Sequence, residues 1–295
     1  MKNTIFTGSG VAIVTPMNAD GSINYDELGR LIDFNIDNGT DAIIVCGTTG
    51  ESSTMTDDEH KECIRYAVER TAKRVPVIAG TGSNDTAYAI ALSKEAQELG
   101  ADAVLVVTPY YNKTSQAGLI AHFTAIADSI NIPVVLYNIP SRTNINIAIE
   151  TFVELAKHPN IVAVKEAGGN INYFAKIIEA CGDTLDVYSG DDGMTVPVMS
   201  LGGKGVISVL ANIMPKETHN LCQLCLNNDF AQAGKEQIRL LDIMNNLFID
   251  VNPIPIKEAL NLMGMNAGPC RMPLVSMSDK ARETLRVSMK KMNLI

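Results

Sequence analysis

Eight short runs of apolar residues, each followed by a segment with helical periodicity, limit the folds open to this chain more than any other feature. The runs are rich in β-branched residues and start roughly 20 to 33 residues apart, close to the length of a βα unit. They cover residues 10–16, 42–46, 75–79, 103–109, 134–138, 161–165, 185–189 and 205–210. This alternation predicts parallel strands joined by helical crossovers.

The segments between the runs carry the signals of amphipathic helices. Residues 26–38 place apolar side chains at helical spacing, and Gly39 follows them as a candidate C-terminal cap. Thr56 and Glu59 stand three residues apart, as in a capping box, which predicts a helix from there to about residue 73. Further helices are predicted over residues 86–99 and 115–128.

Eight βα units that close near residue 225 indicate an α/β fold, a (β/α)8 TIM barrel with a C-terminal helical segment. A doubly wound open sheet is the alternative, although no glycine-rich dinucleotide fingerprint follows any run. Beyond the barrel the pattern is helical only, at residues 229–248, 256–263 and 278–292. We therefore expect a catalytic barrel over 1–226 and a helical domain over 227–295, with too little apolar surface in the latter for an independent function.

Composition excludes several classes of protein. The chain has 295 residues, of which 46% are hydrophobic and 19% charged, and this is an ordinary globular composition. A net charge of −9 argues against nucleic acid or an anionic membrane as the main partner. No apolar run approaches the roughly 20 residues of a membrane helix, and the N-terminus lacks the apolar core of a signal peptide. These features predict a cytoplasmic protein.

Six scattered cysteines are interpreted as small apolar residues in a reducing compartment. Cys222 and Cys225 have the spacing of a redox motif or of half a zinc site. They lie in a helical pattern without a second pair, and only His219 is nearby, so we expect no metal.

The run 161–165 ends in a lysine, and this is the first candidate for chemistry. An amine at the end of a buried apolar run is desolvated, which disfavours its ammonium form. A neutral Lys165 amine can form a Schiff base with a ketone. A barrel lysine paired with a carboxylate is the alternative, and this segment alone leaves both open. Glu166 is an unsuitable partner because neighbouring residues of a strand point to opposite faces.

Other polar residues stand at the carboxyl ends of runs, where barrel enzymes assemble their sites. The Tyr137 phenol could relay protons, and the Thr48 hydroxyl could orient it. Gly47 and Gly50 suit a tight loop whose backbone N–H groups could hold a carboxylate, and Arg142 could bind a second one. Taken singly, each of these features has an ordinary structural explanation. Tyr137 would be a packed core residue, the loop with Gly47 and Gly50 a tight turn, and Arg142 a solvated loop residue. Their joint placement predicts a site.

Several motifs resemble one family across essentially the whole chain. The three most specific are Gly47-Thr-Thr-Gly-Glu51, Tyr137-Asn-Ile-Pro-Ser-Arg-Thr143 and Val164-Lys-Glu-Ala167, and the segments at 8–12, 80–84, 108–112 and 252–257 add to them. Together they resemble the dihydrodipicolinate synthase branch of the pyruvate-dependent class I aldolase/lyase superfamily. The resemblance implies a TIM barrel, usually a homotetramer of two tight dimers. It also implies condensation of pyruvate with L-aspartate 4-semialdehyde in the diaminopimelate route to lysine, without a cofactor.

The resemblance also implies roles for individual residues. Lys165 would form the pyruvate Schiff base and Tyr137 would relay protons. Thr48 would link Tyr137 to Tyr111, which would reach in from the neighbouring subunit.

Four further positions are implied to bind substrate. Thr49 would bind the pyruvate carboxylate and Arg142 the carboxylate of the semialdehyde. Gly190 and Ile207 match positions that line the pyruvate pocket.

Three other functions remain open at this point. N-acetylneuraminate lyases share the lysine, the tyrosine and a similar glycine-rich loop, but they typically lack the arginine found here as Arg142, and their residues after the lysine differ. Sugar-acid aldolases of the same superfamily are the next alternative. A keto-acid sensor that has lost catalysis is the third, and the intact Lys165 and Tyr137 argue against it.

Regulation by lysine is where this sequence departs from the family. In lysine-inhibited relatives, an allosteric site between subunits resembles four positions here: Ser53, His60, Asn84 and Tyr110. A second histidine of that site is replaced by Asp57 and a glutamate by Tyr88. Tyr88 supplies no charge for the ammonium of lysine, which predicts weak or absent feedback inhibition.

Overall fold

The computed structural model describes residues 4–295, in which eight parallel strands form a closed barrel in the order β1 to β8. The fold predicted from the sequence is confirmed. The strands are β1 Gly8–Ala12, β2 Ala42–Val45, β3 Val77–Gly80, β4 Ala103–Val107, β5 Val134–Asn138, β6 Ile161–Glu166, β7 Asp186–Ser189 and β8 Gly205–Ser208. Strand β8 pairs with β1 and closes the sheet.

Helices connect the strands and continue beyond the barrel. They are α1 Tyr25–Asp37, α2 Asp57–Thr71, α3 Thr86–Glu98, α4 Gln116–Asp128, α5 Pro140–Thr143, α6 Ile149–Leu155, α7 Ile171–Cys181, α8 Thr195–Ser200, α9 Pro215–Leu226, α10 Phe230–Asn246, α11 Ile254–Leu262 and α12 Asp279–Lys291. None of the described helices combines the length and apolar character needed to cross a bilayer.

Local sequence signals determine where these helices begin and end. The capping box at α2 is confirmed, because the Thr56 hydroxyl accepts from the Glu59 N–H and the Glu59 carboxylate accepts from the Thr56 N–H. Helix α1 ends before Gly39, whose φ of +92° is a conformation that glycine adopts without strain. The α1 face that includes Leu28 and Leu31 is buried against the barrel.

The apolar core has two layers, as a (β/α)8 barrel requires. The larger layer lies between the strands and the surrounding helices. The smaller one fills the barrel interior, where Phe6 stacks on Tyr188 at 4.4 Å between ring centroids. The Tyr188 hydroxyl donates to the Phe6 carbonyl, so this buried phenol is satisfied without solvent.

The sequence prediction is wrong at several element ends. The first strand occupies residues 8–12 rather than 10–16, because β1 pairs with β8 from Gly8 onward and the Val14 N–H donates to the Asn212 side chain instead of to a strand. The eighth strand ends at Ser208, since residues 210–212 form a 3₁₀ turn. Helices α5, α6, α7 and α8 lie where the sequence predicted no helix with stated bounds.

The helical segment that follows the barrel contacts it on more than one side. Helix α10 packs on α8 and α9, and α11 and α12 pack on each other. Residues 247–278, which connect α10 to α12, reach the loop that follows β2. The division into domains at residue 226 stays a prediction, but hydrogen bonds cross it at the site.

Candidate active site

Lys165 lies near the carboxyl end of β6 and is 6% exposed. Burial lowers the pKa of its amine to about 8, with the nearby Asp192 carboxylate opposing the shift and the Arg142 charge adding to it. Within residues 4–295, no carboxylate lies at ion-pair distance from its Nζ. The lysine therefore has a substantial neutral fraction near neutral pH, as a nucleophilic amine requires.

Tyr137 stands opposite Lys165 on the adjacent strand β5. The Lys165 Nζ lies over its ring, 4.5 Å from the centroid. Burial raises the pKa of the phenol to about 12, while the Arg142 charge and the Thr48 hydroxyl act in the opposite direction. Tyr137 is therefore protonated at neutral pH and can donate a proton or hydrogen bond beside the amine.

Gly190 leaves room beside the lysine. A Cβ built on it would lie 3.0 Å from the Lys165 Cε and 2.7 Å from the Ala167 Cβ, so a larger residue would displace the lysine stem. The Gly190 N–H donates to the Glu166 carbonyl, which fixes β7 against β6 at this level. Ile207 on β8 is fully buried in the barrel interior.

The loop 47–51 after β2 carries Thr48 and Thr49. Its Gly50 carbonyl accepts from the Thr15 hydroxyl, and its last residue, Glu51, has a φ of +57°. Glu51 is buried and paired with Lys257 of α11 at 2.7 Å. The loop that presents the threonines is thus held from the C-terminal segment.

Arg142 lies in the short helix α5, directly after Tyr137 and Pro140. Its Nη2 donates to the Asn252 carbonyl at 3.0 Å, and the residue as a whole is exposed. The Thr108 hydroxyl donates to that of Thr143, which ties α5 to the end of β4. Arg142 is therefore a tethered cation at the edge of the cleft, as a carboxylate site requires.

A cavity of about 480 Å³ opens at this end of the barrel. Thr48 and Arg142 line it, but Lys165 and Tyr137 are not among its lining residues. Tyr111 does not line this cavity either. Its side chain is 92% exposed on a backbone with a φ of +68°, so a single chain does not bring its hydroxyl to Tyr137.

The positions of the expected allosteric site lie around the same cavity, which is lined by Ser53, His60, Tyr88 and Tyr110. Asn84 is next to it, and its carbonyl accepts from the Asn112 amide. Asp57 and Tyr88, the two residues that differ from those of lysine-inhibited relatives, contact each other. The Tyr88 hydroxyl donates to the Asp57 carboxylate at 2.5 Å. This bond raises the pKa of Tyr88 to about 12.

Three residues that matter to this geometry are absent from the sequence prediction of the site. Lys257 and Asn252 lie far away in the chain, and only the motif 252–257 pointed to their segment. Asp192 is buried and accepts from the N–H groups of Val209 and Leu210, which places a carboxylate behind the lysine. Its signal was the pair of aspartates directly after β7.

The exclusion of Glu166 as a partner of Lys165 agrees with the structure. Its carboxylate accepts from the Asn138 amide and the Gly168 N–H on the opposite face of β6. Burial raises its pKa to about 7, against the effect of those two bonds.

Comparison with known proteins identifies the family. Residues 5–292 match the model of the dihydrodipicolinate synthetase family. This chain belongs to that family. A relative from Acetivibrio thermocellus named 4-hydroxy-tetrahydrodipicolinate synthase is 57% identical over 295 residues, all of both chains. A relative of the same name from Lachnoclostridium phytofermentans is 59% identical over 292 residues, 99% of each chain.

Solved structures agree with this membership. The dihydrodipicolinate synthase of Aquifex aeolicus superposes with a TM-score of 0.96 at 48% identity, over 98% of this chain and 99% of the other. The chloride-inhibited dihydrodipicolinate synthase of Acinetobacter baumannii, complexed with pyruvate, superposes with a TM-score of 0.97 at 43% identity, over 99% and 100% of the two chains. The similarity therefore covers both the barrel and the C-terminal helices.

Proposed function

We propose that this chain condenses pyruvate with L-aspartate 4-semialdehyde through a Schiff base on Lys165. The product is 4-hydroxy-tetrahydrodipicolinate, in the diaminopimelate route of lysine biosynthesis. The observation that carries the assignment is the buried Lys165 amine, without a carboxylate partner in the described chain and with the Tyr137 ring 4.5 Å away. Relatives that share 54–59% identity and carry the synthase name support the choice of reaction.

The first half of the reaction activates pyruvate. The neutral Lys165 amine attacks the keto carbon and gives a carbinolamine. A proton from Tyr137 allows the carbinolamine hydroxyl to leave as water, and the protonated imine remains. The phenolate left on Tyr137 then takes a methyl proton from this imine, which gives an enamine. Thr48 beside the phenol, with Tyr111 of a second subunit, would return protons to Tyr137.

The second half forms the new carbon–carbon bond. The enamine carbon attacks the aldehyde carbon of the semialdehyde, and the aldehyde oxygen takes up a proton from Tyr137. The amino group of the semialdehyde then replaces the Lys165 nitrogen at the imine carbon, which closes the ring and frees the lysine. Backbone N–H groups of the Thr49 loop hold the pyruvate carboxylate, and Arg142 holds that of the semialdehyde. Gly190 and Ile207 line the pyruvate pocket in this proposal.

The assembly and location belong to the same proposal. The exposed Tyr111 supports a homo-oligomer in which one subunit completes the site of another, and we expect a homotetramer built as a dimer of dimers. We also expect a cytoplasmic enzyme that needs no metal or other cofactor. The Tyr88–Asp57 contact supports weak or absent inhibition by lysine, and inhibition at micromolar lysine would contradict it.

The test is product formation from pyruvate and aspartate semialdehyde, with Arg142→Ala compared to Arg30→Ala. Arg30 is an exposed arginine of α1 paired with Glu27, so its loss controls for charge alone. We expect activity in the parent and the control and a large rise in the semialdehyde KM for Arg142→Ala. Cleavage of N-acetylneuraminate or a keto-sugar acid, without activity on the semialdehyde, would move the chain to a sister activity. Failure of borohydride to trap pyruvate on Lys165 would exclude every Schiff-base function.

A further inference from the structure

Asn252 lies in the C-terminal segment, directly before α11, and contacts both residues proposed to bind carboxylates. Its side-chain Nδ2 donates to the Thr49 hydroxyl at 3.0 Å. Its main-chain carbonyl accepts from the Arg142 Nη2, also at 3.0 Å. One residue outside the barrel therefore joins the loop after β2 to the turn after β5.

The burial of Asn252 indicates that the amide serves more than packing. The residue is 6% exposed, and its Oδ1 has no hydrogen-bond partner among the described residues. A buried acceptor without a partner destabilises a fold, so an apolar side chain would suit a purely structural position better. What the amide adds at this position is the donor to Thr49.

The segment around Asn252 is rigidly attached. Five residues on, the Lys257 ammonium donates to the Glu51 carboxylate and to the carbonyls of Thr15 and Pro269. Glu51 ends the same loop that carries Thr49. Asn252 is therefore held in place by contacts that do not depend on its own side chain.

We propose that Asn252 is a positioning residue for both substrates, acting on pyruvate through its side chain and on the semialdehyde through its main-chain carbonyl. The inference rests on the proposed function. The bond to Thr49 fixes the loop whose N–H groups face the pyruvate carboxylate. The bond to Arg142 fixes the direction of a guanidinium that is otherwise free to move in solvent.

The two links can be separated by mutation, because only one of them uses the side chain. Asn252→Ala deletes the bond to Thr49 and keeps the carbonyl that holds Arg142. We expect the pyruvate KM to rise about tenfold, as loss of one buried hydrogen bond would give, while the semialdehyde KM and kcat stay within about twofold. A purely structural role would lower the melting temperature and the active fraction but would leave both KM values unchanged.

Asn261→Ala is the matched control. Asn261 is an asparagine of α11 whose side chain makes two hydrogen bonds, both to the backbone of Gly268, and neither involves a residue of the site. This variant is expected to lose stability without any change in the pyruvate KM. Asn252→Leu is the second test variant, because it keeps the branched shape and can neither donate to nor accept from the Thr49 hydroxyl, and it should raise the pyruvate KM as much as the alanine.

Thr49→Val tests the link from the other end. Because it removes the hydroxyl that accepts from Asn252, the double variant Thr49→Val/Asn252→Ala should have nearly the pyruvate KM of either single variant. Additive effects would show that the two residues act separately and would overturn the proposal.

Two other outcomes would also overturn it. The proposal is wrong if both Asn252 variants keep the parent pyruvate KM, or if both KM values rise equally, while the parent protein still traps pyruvate with borohydride. If the parent traps no pyruvate, the proposed function has failed instead. The borohydride result therefore distinguishes the two failures.

Discussion

Among residues 4–295, two lysines are buried, and their surroundings are opposite. Lys257 is 1% exposed, and its ammonium donates to the Glu51 carboxylate at 2.7 Å and to two carbonyls, which uses all three of its hydrogens. Lys165 is 6% exposed and faces an aromatic ring instead. Burial alone therefore does not make an amine reactive. The absence of a compensating carboxylate does, because it leaves the charged form unfavourable.

The largest expected effect separates the two lysines by activity. Lys165→Met should lower kcat by on the order of 10⁴-fold or more, since the covalent route is lost. The same change should keep or raise the free energy of unfolding, because an apolar side chain replaces an amine without an ion pair. Steady-state assays and urea unfolding would check the pair of outcomes. Unfolded Lys165→Met protein would show that the comparison is wrong.

The Tyr137 hydroxyl is expected to matter next. Tyr137→Phe keeps the ring beside Lys165 and removes the proton donor, so kcat should fall by about 10²- to 10⁴-fold. Borohydride trapping should still occur but more slowly, as measured by mass spectrometry over time. Trapping at the parent rate would exclude the phenol from carbinolamine dehydration.

Lys257→Met should lower the free energy of unfolding, which is the opposite of the effect expected for Lys165→Met. Removal of one partner leaves the Glu51 carboxylate buried without its ion pair, and we expect a loss of about 3–5 kcal/mol in the free energy of unfolding. The double variant Lys257→Met/Glu51→Gln should recover part of that loss, because no buried charge then remains unpaired. If the single variant is as stable as the parent, Lys257 does not hold the loop.

The smallest expected effect concerns pH. The pKa of Lys165 is lowered to about 8, so the rate of adduct formation should rise nearly tenfold per pH unit below that value and level off above it. Between about pH 8 and the ordinary lysine pKa, the unfolded chain binds more protons at this residue than the folded one. Stability from this group therefore increases with pH through that window. Lys165→Met should lack the increase, and Lys257→Met should keep it.

The sequence predicted those parts of the molecule that depend on local pattern. The eight runs and the Thr56 capping box depend on residues that are neighbours in the chain. Lys165 and Tyr137 were predicted in the site because they stand at the carboxyl ends of predicted strands. Contacts between distant segments were not predictable in this way. Nothing in the sequence near Glu51 indicates that its partner is Lys257, 206 positions later.

The C-terminal segment shows the same limit. The sequence prediction treated it as an appendage of the barrel, because its periodicity reports only which faces are apolar. Its polar contacts, such as Asn252 to Thr49 and Arg271 to Glu59, depend on where its turns lie against the barrel. The predicted range of β1 was wrong for a similar reason, since the register of this strand is determined by pairing with β8.

The attachment of the loop 47–51 to residues near the end of the chain has a consequence for synthesis. The Glu51 carboxylate accepts from the Arg271 N–H, 220 positions later, as well as from Lys257. All eight strands are made before either partner, because β8 ends at Ser208. A nascent chain can therefore form all eight strands while the loop is still unanchored, and the loop is held in place only after residues 257 and 271 have been made.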